Sequence, residues 1–308
     1  MALTYPEALV VGLMQGVTEL FPVSSLGHSV LLPALVGGRW ARDLNVSAPE
    51  SPYLAFLVGL HVATAIALLI FFRRDWMRIV GGFLTSVRDR SVATPDQRLA
   101  WLVVLATVPV GVTGLLLEHT FRTVLGKPVP AAAFLLANGV LLLAGERMRR
   151  TAPAPVAAAV GAAGVASAPV GGEPDTAADG RLAAAGPRTA LVVGAAQALA
   201  LLPGISRSGV AMVAGLVRGL SHEDAARFSF LLATPVILAA GVLKLPDLAG
   251  PLGAGIRGQV LVGSLAAGVA AYAAVRWLTR YFTTRTLTPF GIYCLLAGAG
   301  SLVVLAAR

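Results

Sequence analysis

Long apolar runs, separated by short connections that carry arginine, dominate the chain. Crossing a hydrocarbon core takes about 17 to 25 mostly apolar residues. Six stretches qualify, near 53 to 72, 101 to 117, 128 to 145, 228 to 244, 258 to 275 and 286 to 306. Two further apolar segments are interrupted. Pro22 and the Ser24, Ser25, Gly27 run break the first, about 7 to 36; Pro203, Gly204 and the run from Ser206 to Gly209 break the second, about 188 to 219. Each reads as two half-helices joined by a loop, because proline and clustered small residues stop a helix. Non-helical backbone at membrane depth survives only where protein or a polar cavity surrounds it, so the two loops are expected to face one another. The pattern predicts an all-α polytopic membrane protein, with six transmembrane helices plus two re-entrant helix-loop-helix segments.

Composition agrees with that pattern. Of 308 residues, 56% are hydrophobic and only 13% charged, and the mean hydropathy is +0.79, which argues against a soluble domain. Residues 151–186 are dominated by Ala, Pro and Gly without helical periodicity, and predict a flexible cytoplasmic linker. Pro153, Pro155 and Pro169 argue against a seventh span there. The linker divides the chain into a first repeat, 1–150, and a second, 187–308, each with one broken segment followed by three spans. An offset of 182 lays Gln15 on Gln197, Leu20 on Leu202, Ser24 on Ser206 and Gly27 on Gly209.

A net charge of +9 would suggest nucleic acid in a soluble protein, but the arginines sit between spans and lack interleaved aromatics. They read as topology signals instead. Connections 73–99 and 146–190, with Arg276, Arg280 and Arg285, hold fourteen basic residues, and the opposite connections hold few. By the positive-inside rule the rich side is cytoplasmic. The two broken segments then enter from opposite faces, which makes an inverted-topology repeat the expected arrangement. The first twenty residues contain Pro6 and Glu7 and no N-terminal basic cluster, so they are expected to stay in the mature protein. Cys294 lies alone inside the last span and reads as packing.

The chemistry concentrates at the breaks. A helix starting near Leu26 would carry serine at its N-cap, with Ser25 and His28 three apart on one face, and its free N–H groups favour an anion. Ser206, Arg207, Ser208 and Gly209 repeat this start. Arg207 is costly at membrane depth unless it meets an anion, and its planar fork suits two phosphate oxygens. Glu19 is the one carboxylate within either break and could serve as general base, orient His28 or help hold a cation. Ser24, Ser206 and Ser208 read better as caps and anion contacts than as nucleophiles. His61, isolated in its span, reads as a packing partner, and Gln15 and Gln197 as hydrogen bonds between the repeats.

These residues carry a family resemblance. GLMQGVTELFPVSSLGHSVLL resembles the first signature of the undecaprenyl-diphosphate phosphatase family of the bacitracin-resistance type; LLPGISRSGVAMVAGL, followed by AARFSFLLATP, resembles its second. The resemblance implies removal of one phosphate from a C55 isoprenoid diphosphate, recycling the lipid carrier of cell-wall precursors. It places the protein in the bacterial cytoplasmic (inner) membrane, with a site opening to the outer, periplasmic side. By position, Glu19, Ser25, His28 and Arg207 match the essential residues, and Ser24, Ser206, Ser208 and Gly209 the phosphate contacts. It also implies a divalent cation, Mg or Ca, with Glu19 as a ligand. The expected partners are the lipid substrate and membrane lipids, without nucleic acid, and a homodimer is left open. Two departures stand out: Gln15 where the signature often has a carboxylate, and Ala211 where threonine is common.

Ser25 is favoured as nucleophile, activated by His28 or Glu19, with direct attack by His28 as the close second. A lipid phosphatase of the haloperoxidase type is excluded, because its histidine position falls on Val213 and its Lys/Arg-Arg-Pro element is absent. A polyprenyl-phosphate transporter or flippase remains the alternative, since inverted repeats with broken helices also build transporters.

Overall fold

The computed structural model describes residues 3–44, 52–149, 174–250 and 255–308, and every regular element among them is helical. In chain order the helices are α1 (Tyr5–Leu20), α2 (Ser25–Val36), α3 (Gly38–Asp43), α4 (Pro52–Phe71), α5 (Arg73–Asp89), α6 (Pro95–Leu125) and α7 (Pro128–Arg149). After the linker come α8 (Pro174–Ala184), α9 (Gly186–Ala196), a 3-10 turn at Gln197–Leu201, α10 (Arg207–Val217), α11 (His222–Ala249), α12 (Arg257–Tyr281) and α13 (Thr288–Ala306). Six of them are long and apolar enough to cross a membrane: Tyr53–Phe71, Pro95–Leu117, Pro128–Arg149, His222–Leu243, Arg257–Tyr281 and Thr288–Ala306. They coincide with the six expected spans, and the chain is a multi-pass membrane protein.

Apolar side chains gain little from leaving lipid for a neighbouring helix, so spans associate through close backbone approach at small residues. Helix α1 packs along α12. A Cβ on Gly12 would lie 2.4 Å from Gly263 O, and one on Gly16 would lie 2.3 Å from Ala267 O. Helix α9 meets α6 in the same manner, where a Cβ on Gly194 would lie 2.3 Å from Ala106 O. Gly12 and Gly194 are separated by the offset that relates the two broken segments. Helices α7 and α13 pack antiparallel through Gly139, Gly291 and Gly298, while α4 packs against α11 and α12. Each broken segment is thereby held by spans from the opposite half of the chain.

Both breaks form where proline and capping serines place them. Helix α1 ends at Leu20, Pro22 follows, and α2 starts at Ser25, with the Ser24 side chain accepting from Gly27 N. Helix α10 starts at Arg207, with the Ser206 side chain accepting from Gly209 N. Both caps satisfy a donor that a helix start leaves unpaired.

Two segments on the arginine-rich side are more ordered than composition suggests. The connection from 73 to 99 contains α5, which buries Asp75, Ile79, Gly82 and Ser86 and exposes Met77, Val80, Leu84 and Val87. An apolar stripe flanked by Arg73, Arg74 and Arg88 is the pattern of a helix lying in the membrane interface. Of the stretch expected to be linker, 151–173 lies outside the described residues, but 174–184 is α8 rather than flexible chain. Ion pairs hold it. Asp179 accepts from Arg78 of α5 and Arg227 of α11, and Arg181 grips Asp224 through Nε and a terminal nitrogen at 2.8–3.1 Å. These pairings join residues far apart in sequence, which local composition does not register.

Candidate active site

The two breaks touch. A Cβ on Gly27 would lie 2.9 Å from Gly204 Cα, and Gly204 N donates to Ser24 Oγ at 3.2 Å. Gly204 has φ +115, and a Cβ there would lie 2.4 Å from Ala131 O, so only glycine fits. Ser24 itself has φ +69, a left-handed conformation uncommon for a residue with a Cβ, held while its hydroxyl bridges Gly27 N and Gly204 N. Asn138, fully buried in the middle of α7, ties both loops together: Nδ2 donates to Pro22 O at 3.0 Å and Oδ1 accepts from Ser206 N at 3.0 Å.

Glu19, at the end of α1, is the hub of the polar cluster. Its Oε2 accepts from Ser25 Oγ at 2.5 Å and Gln15 Nε2 at 3.1 Å, and lies 3.4 Å from His61 Nε2. Its Oε1 accepts from a terminal nitrogen of Arg207 at 3.0 Å. A carboxylate takes this many donors only when ionised. The other terminal nitrogen of Arg207 is buried without a hydrogen-bond partner. A buried, unpaired cationic N–H beside a serine is a ready contact for an incoming anion.

The structure separates the expected site residues. Ser25, Glu19 and Arg207 come together. His28 does not join them by hydrogen bond: its Nδ1 lies 2.7 Å from Ser24 O and its Nε2 2.7 Å from Tyr293 OH. A carbonyl can only accept, so Nδ1 carries a hydrogen, and in the neutral ring Nε2 then accepts from Tyr293. Ser206 and Ser208, the expected phosphate contacts, lie 3.0 Å apart and both approach Phe21 O, at 3.5 and 3.2 Å, so that their hydroxyls join the two breaks. Ser24 bridges to Gly204 of the other break, and Gly209 N donates to the Ser206 cap.

Three residues escaped the sequence reading. His61, read there as packing, faces Glu19 because α4 lies beside the end of α1; its signal was an ionisable group inside a span. Asn138 carried a weaker signal of the same kind, as a polar side chain in an apolar run. Tyr293 carried none. Gln15 bonds within its own helix to Glu19, not across the repeats, and Gln197 is buried with no hydrogen-bond partner for its side chain.

Among the described residues, no three His, Cys, Asp or Glu side chains gather as a metal site. Both Glu19 oxygens face donors, two of them on basic side chains, whereas a divalent cation needs open oxygen ligands. The expected cation at Glu19 therefore does not fit this donor set.

A family model described as bacitracin resistance protein BacA matches residues 8–300. The chain belongs to the bacitracin resistance protein BacA family. Relatives named undecaprenyl-diphosphatase cover nearly the whole chain. The one from Mycolicibacterium paratuberculosis is 68% identical, with 99% of each chain covered. The one from Frankia casuarinae, named undecaprenyl-diphosphatase 1, is 55% identical, with 96% of each covered. Both breaks lie inside the family match, so the hub at Glu19 is built from the family's own segments.

Proposed function

We infer that the chain hydrolyses undecaprenyl diphosphate to undecaprenyl phosphate and inorganic phosphate, with Ser25 as nucleophile. The observation that carries the nucleophile is Ser25 Oγ donating to Glu19 Oε2 at 2.5 Å, beside an Arg207 guanidinium with one nitrogen unpaired. The unpaired Arg207 nitrogen takes an oxygen of the terminal phosphate. That contact draws the guanidinium from Glu19, whose carboxylate becomes a better base as the positive charge recedes. Ser25 Oγ attacks the terminal phosphorus in line and passes its proton to Glu19. The Oγ–P bond forms while the bond from phosphorus to the bridging oxygen breaks, releasing undecaprenyl phosphate. Water then attacks the phosphoserine. Ser25 Oγ leaves and recovers the proton from Glu19, and the protons of water depart with the phosphate.

His28 has a supporting part in this reading, because its ring nitrogens are engaged by Ser24 O and Tyr293 OH and not by Ser25. The inverted-topology repeat is supported by the matching pairings of α1 with α12 and α9 with α6. The positive-inside rule supports reading the arginine-rich ends as cytoplasmic, and the family resemblance supports an inner-membrane site that opens outward. His61 and Asn138 lie near the middle of their spans, which favours a site at mid-depth.

The test is phosphate release from undecaprenyl diphosphate by purified protein in detergent, where no gradient exists. Hydrolysis by the parent chain and loss of at least about 100-fold in kcat for Ser25→Ala are expected. Release at the parent rate from Ser25→Ala ends the serine mechanism, and no release from the parent chain favours a transporter.

A further inference from the structure

One ring nitrogen of His61 is committed to its own helix, the other faces Glu19, and about a third of the side chain, 32%, stays exposed. Its Nδ1 lies 2.7 Å from Leu57 O, which can only accept, so Nδ1 bears a hydrogen. Its Nε2 faces Glu19 Oε2 at 3.4 Å, an ion-pair contact rather than a tight hydrogen bond. Without a proton between them, two lone pairs would oppose each other inside an apolar span. Arg207, which can only donate, holds the other oxygen of Glu19, and the Ser25 hydroxyl and Gln15 amide can both donate to the same carboxylate; this set suits an ionised Glu19 and assigns the proton to His61.

Little else competes for this imidazolium. Helix α4 packs against α1, α11 and α12. From α1 the ionisable group facing His61 is Glu19, and from α10 Arg207 lies on the far oxygen of that same carboxylate. Helix α11 carries no ionisable residue between Phe228 and Leu243, and α12 carries only Tyr272 between Gly258 and Val275. Tyr272 packs on Phe71, at the far end of α4.

We propose that His61 does in this chain the work of a resident cation beside Glu19: its imidazolium balances the carboxylate, holds it on Ser25, and stays when Arg207 turns to phosphate. The two cations differ in their freedom. Arg207 has an unpaired nitrogen and is drawn to the substrate, whereas His61 is tied to the backbone of its own helix. When Arg207 turns away, a carboxylate left alone at membrane depth would take up a proton and could not accept one from Ser25. His61 prevents this and keeps its own proton through both chemical steps, so the proton given up by Ser25 travels only to Glu19 and back. His61 touches neither substrate nor reacting atoms in this scheme and is a positioning residue. The role rests on the Ser25 and Glu19 mechanism proposed above.

The test compares His61→Ala and His61→Gln with the parent and with Ser25→Ala, following phosphate release from undecaprenyl diphosphate in detergent. For His61→Ala, kcat is expected to fall by roughly 10- to 100-fold with KM nearly unchanged, as for removal of a partner that orients a catalytic group. His61→Gln supplies a neutral donor of similar length and preserves the packing. It is expected to stay well below the parent in kcat, and added imidazole is expected to restore part of the rate of His61→Ala. Parent-like kcat in His61→Gln overturns the cationic role, and a rise in KM without a change in kcat places His61 on the substrate and overturns it as well. A second readout needs no turnover: adding Mg²⁺ or Ca²⁺ to substrate-free protein is expected to shift the thermal midpoint of the parent no more than that of Glu19→Gln. A shift in the parent that Glu19→Gln abolishes identifies a resident metal at Glu19 and overturns the proposal. Full activity in Ser25→Ala would instead sink the serine mechanism, a failure read separately from the His61 arms.

Discussion

Replacing Arg207 by lysine keeps the positive charge and removes the fork. In the structure one terminal nitrogen of Arg207 donates to Glu19 Oε1 at 3.0 Å, while the other is buried and unpaired. Lysine offers a single ammonium on a flexible stem, so it can hold Glu19 or reach the phosphate but cannot span both positions as the planar guanidinium does. The change costs one charge-assisted hydrogen bond to the substrate, worth about 1.5–3 kcal/mol. At about 1.36 kcal/mol per tenfold, this is a loss of roughly 10- to 150-fold in kcat/KM. The loss should be carried mainly by KM if the contact forms on binding, and by kcat if it strengthens as the bridging bond breaks. The assay is phosphate release from undecaprenyl diphosphate in detergent across a range of substrate concentrations, with the thermal midpoint measured in parallel. A kcat/KM within about threefold of the parent, in a protein of unchanged stability, would refute the idea that the unpaired nitrogen is the phosphate contact.

Other parts of the structure make independent predictions. Asn138→Ala leaves Ser206 N buried without a partner, at roughly 1–3 kcal/mol, and leaves Pro22 O with only the weak Cys294 thiol contact. A lowered thermal midpoint together with reduced activity is expected, and an unchanged midpoint would mean that Asn138 does not tie the breaks together. Gly204→Ala forces a Cβ toward Ala131 O from a backbone at φ +115, so activity should collapse; a fully active variant would show that the contact between the breaks is dispensable. Asp179→Ala removes the acceptor shared by Arg78 and Arg227, and trypsin should cut after Arg181 faster than in the parent while phosphate release is largely retained. Unchanged cleavage would mean that these ion pairs do not hold α8.

The spans and breaks were legible in the sequence because the membrane imposes a local rule: about 20 apolar residues make a span, and proline with clustered small polar residues interrupts one. Both capping serines were legible for the same reason, since Ser24 and Ser206 act within three residues of themselves. Glu19 and Arg207 declared themselves as charges too costly to keep at depth without a purpose. What each of them touches was not legible. Ser25 could have met His28 or Glu19 on spacing alone, and the choice follows from the path of the first break, which turns Ser25 toward Glu19 and sends His28 to Tyr293 on the last span. Ser206 and Ser208 had the chemistry of phosphate contacts, but the approach of Phe21 O from the other half of the chain uses their hydroxyls. His61 changed role for a similar reason, becoming a neighbour of Glu19 only once α4 lay against the end of α1. Local periodicity and solvation therefore determined the elements and the stock of reactive groups. Pairing of groups far apart in sequence, 188 positions between Glu19 and Arg207 and 265 between His28 and Tyr293, depends on which helices pack together, and only the tertiary structure decided it.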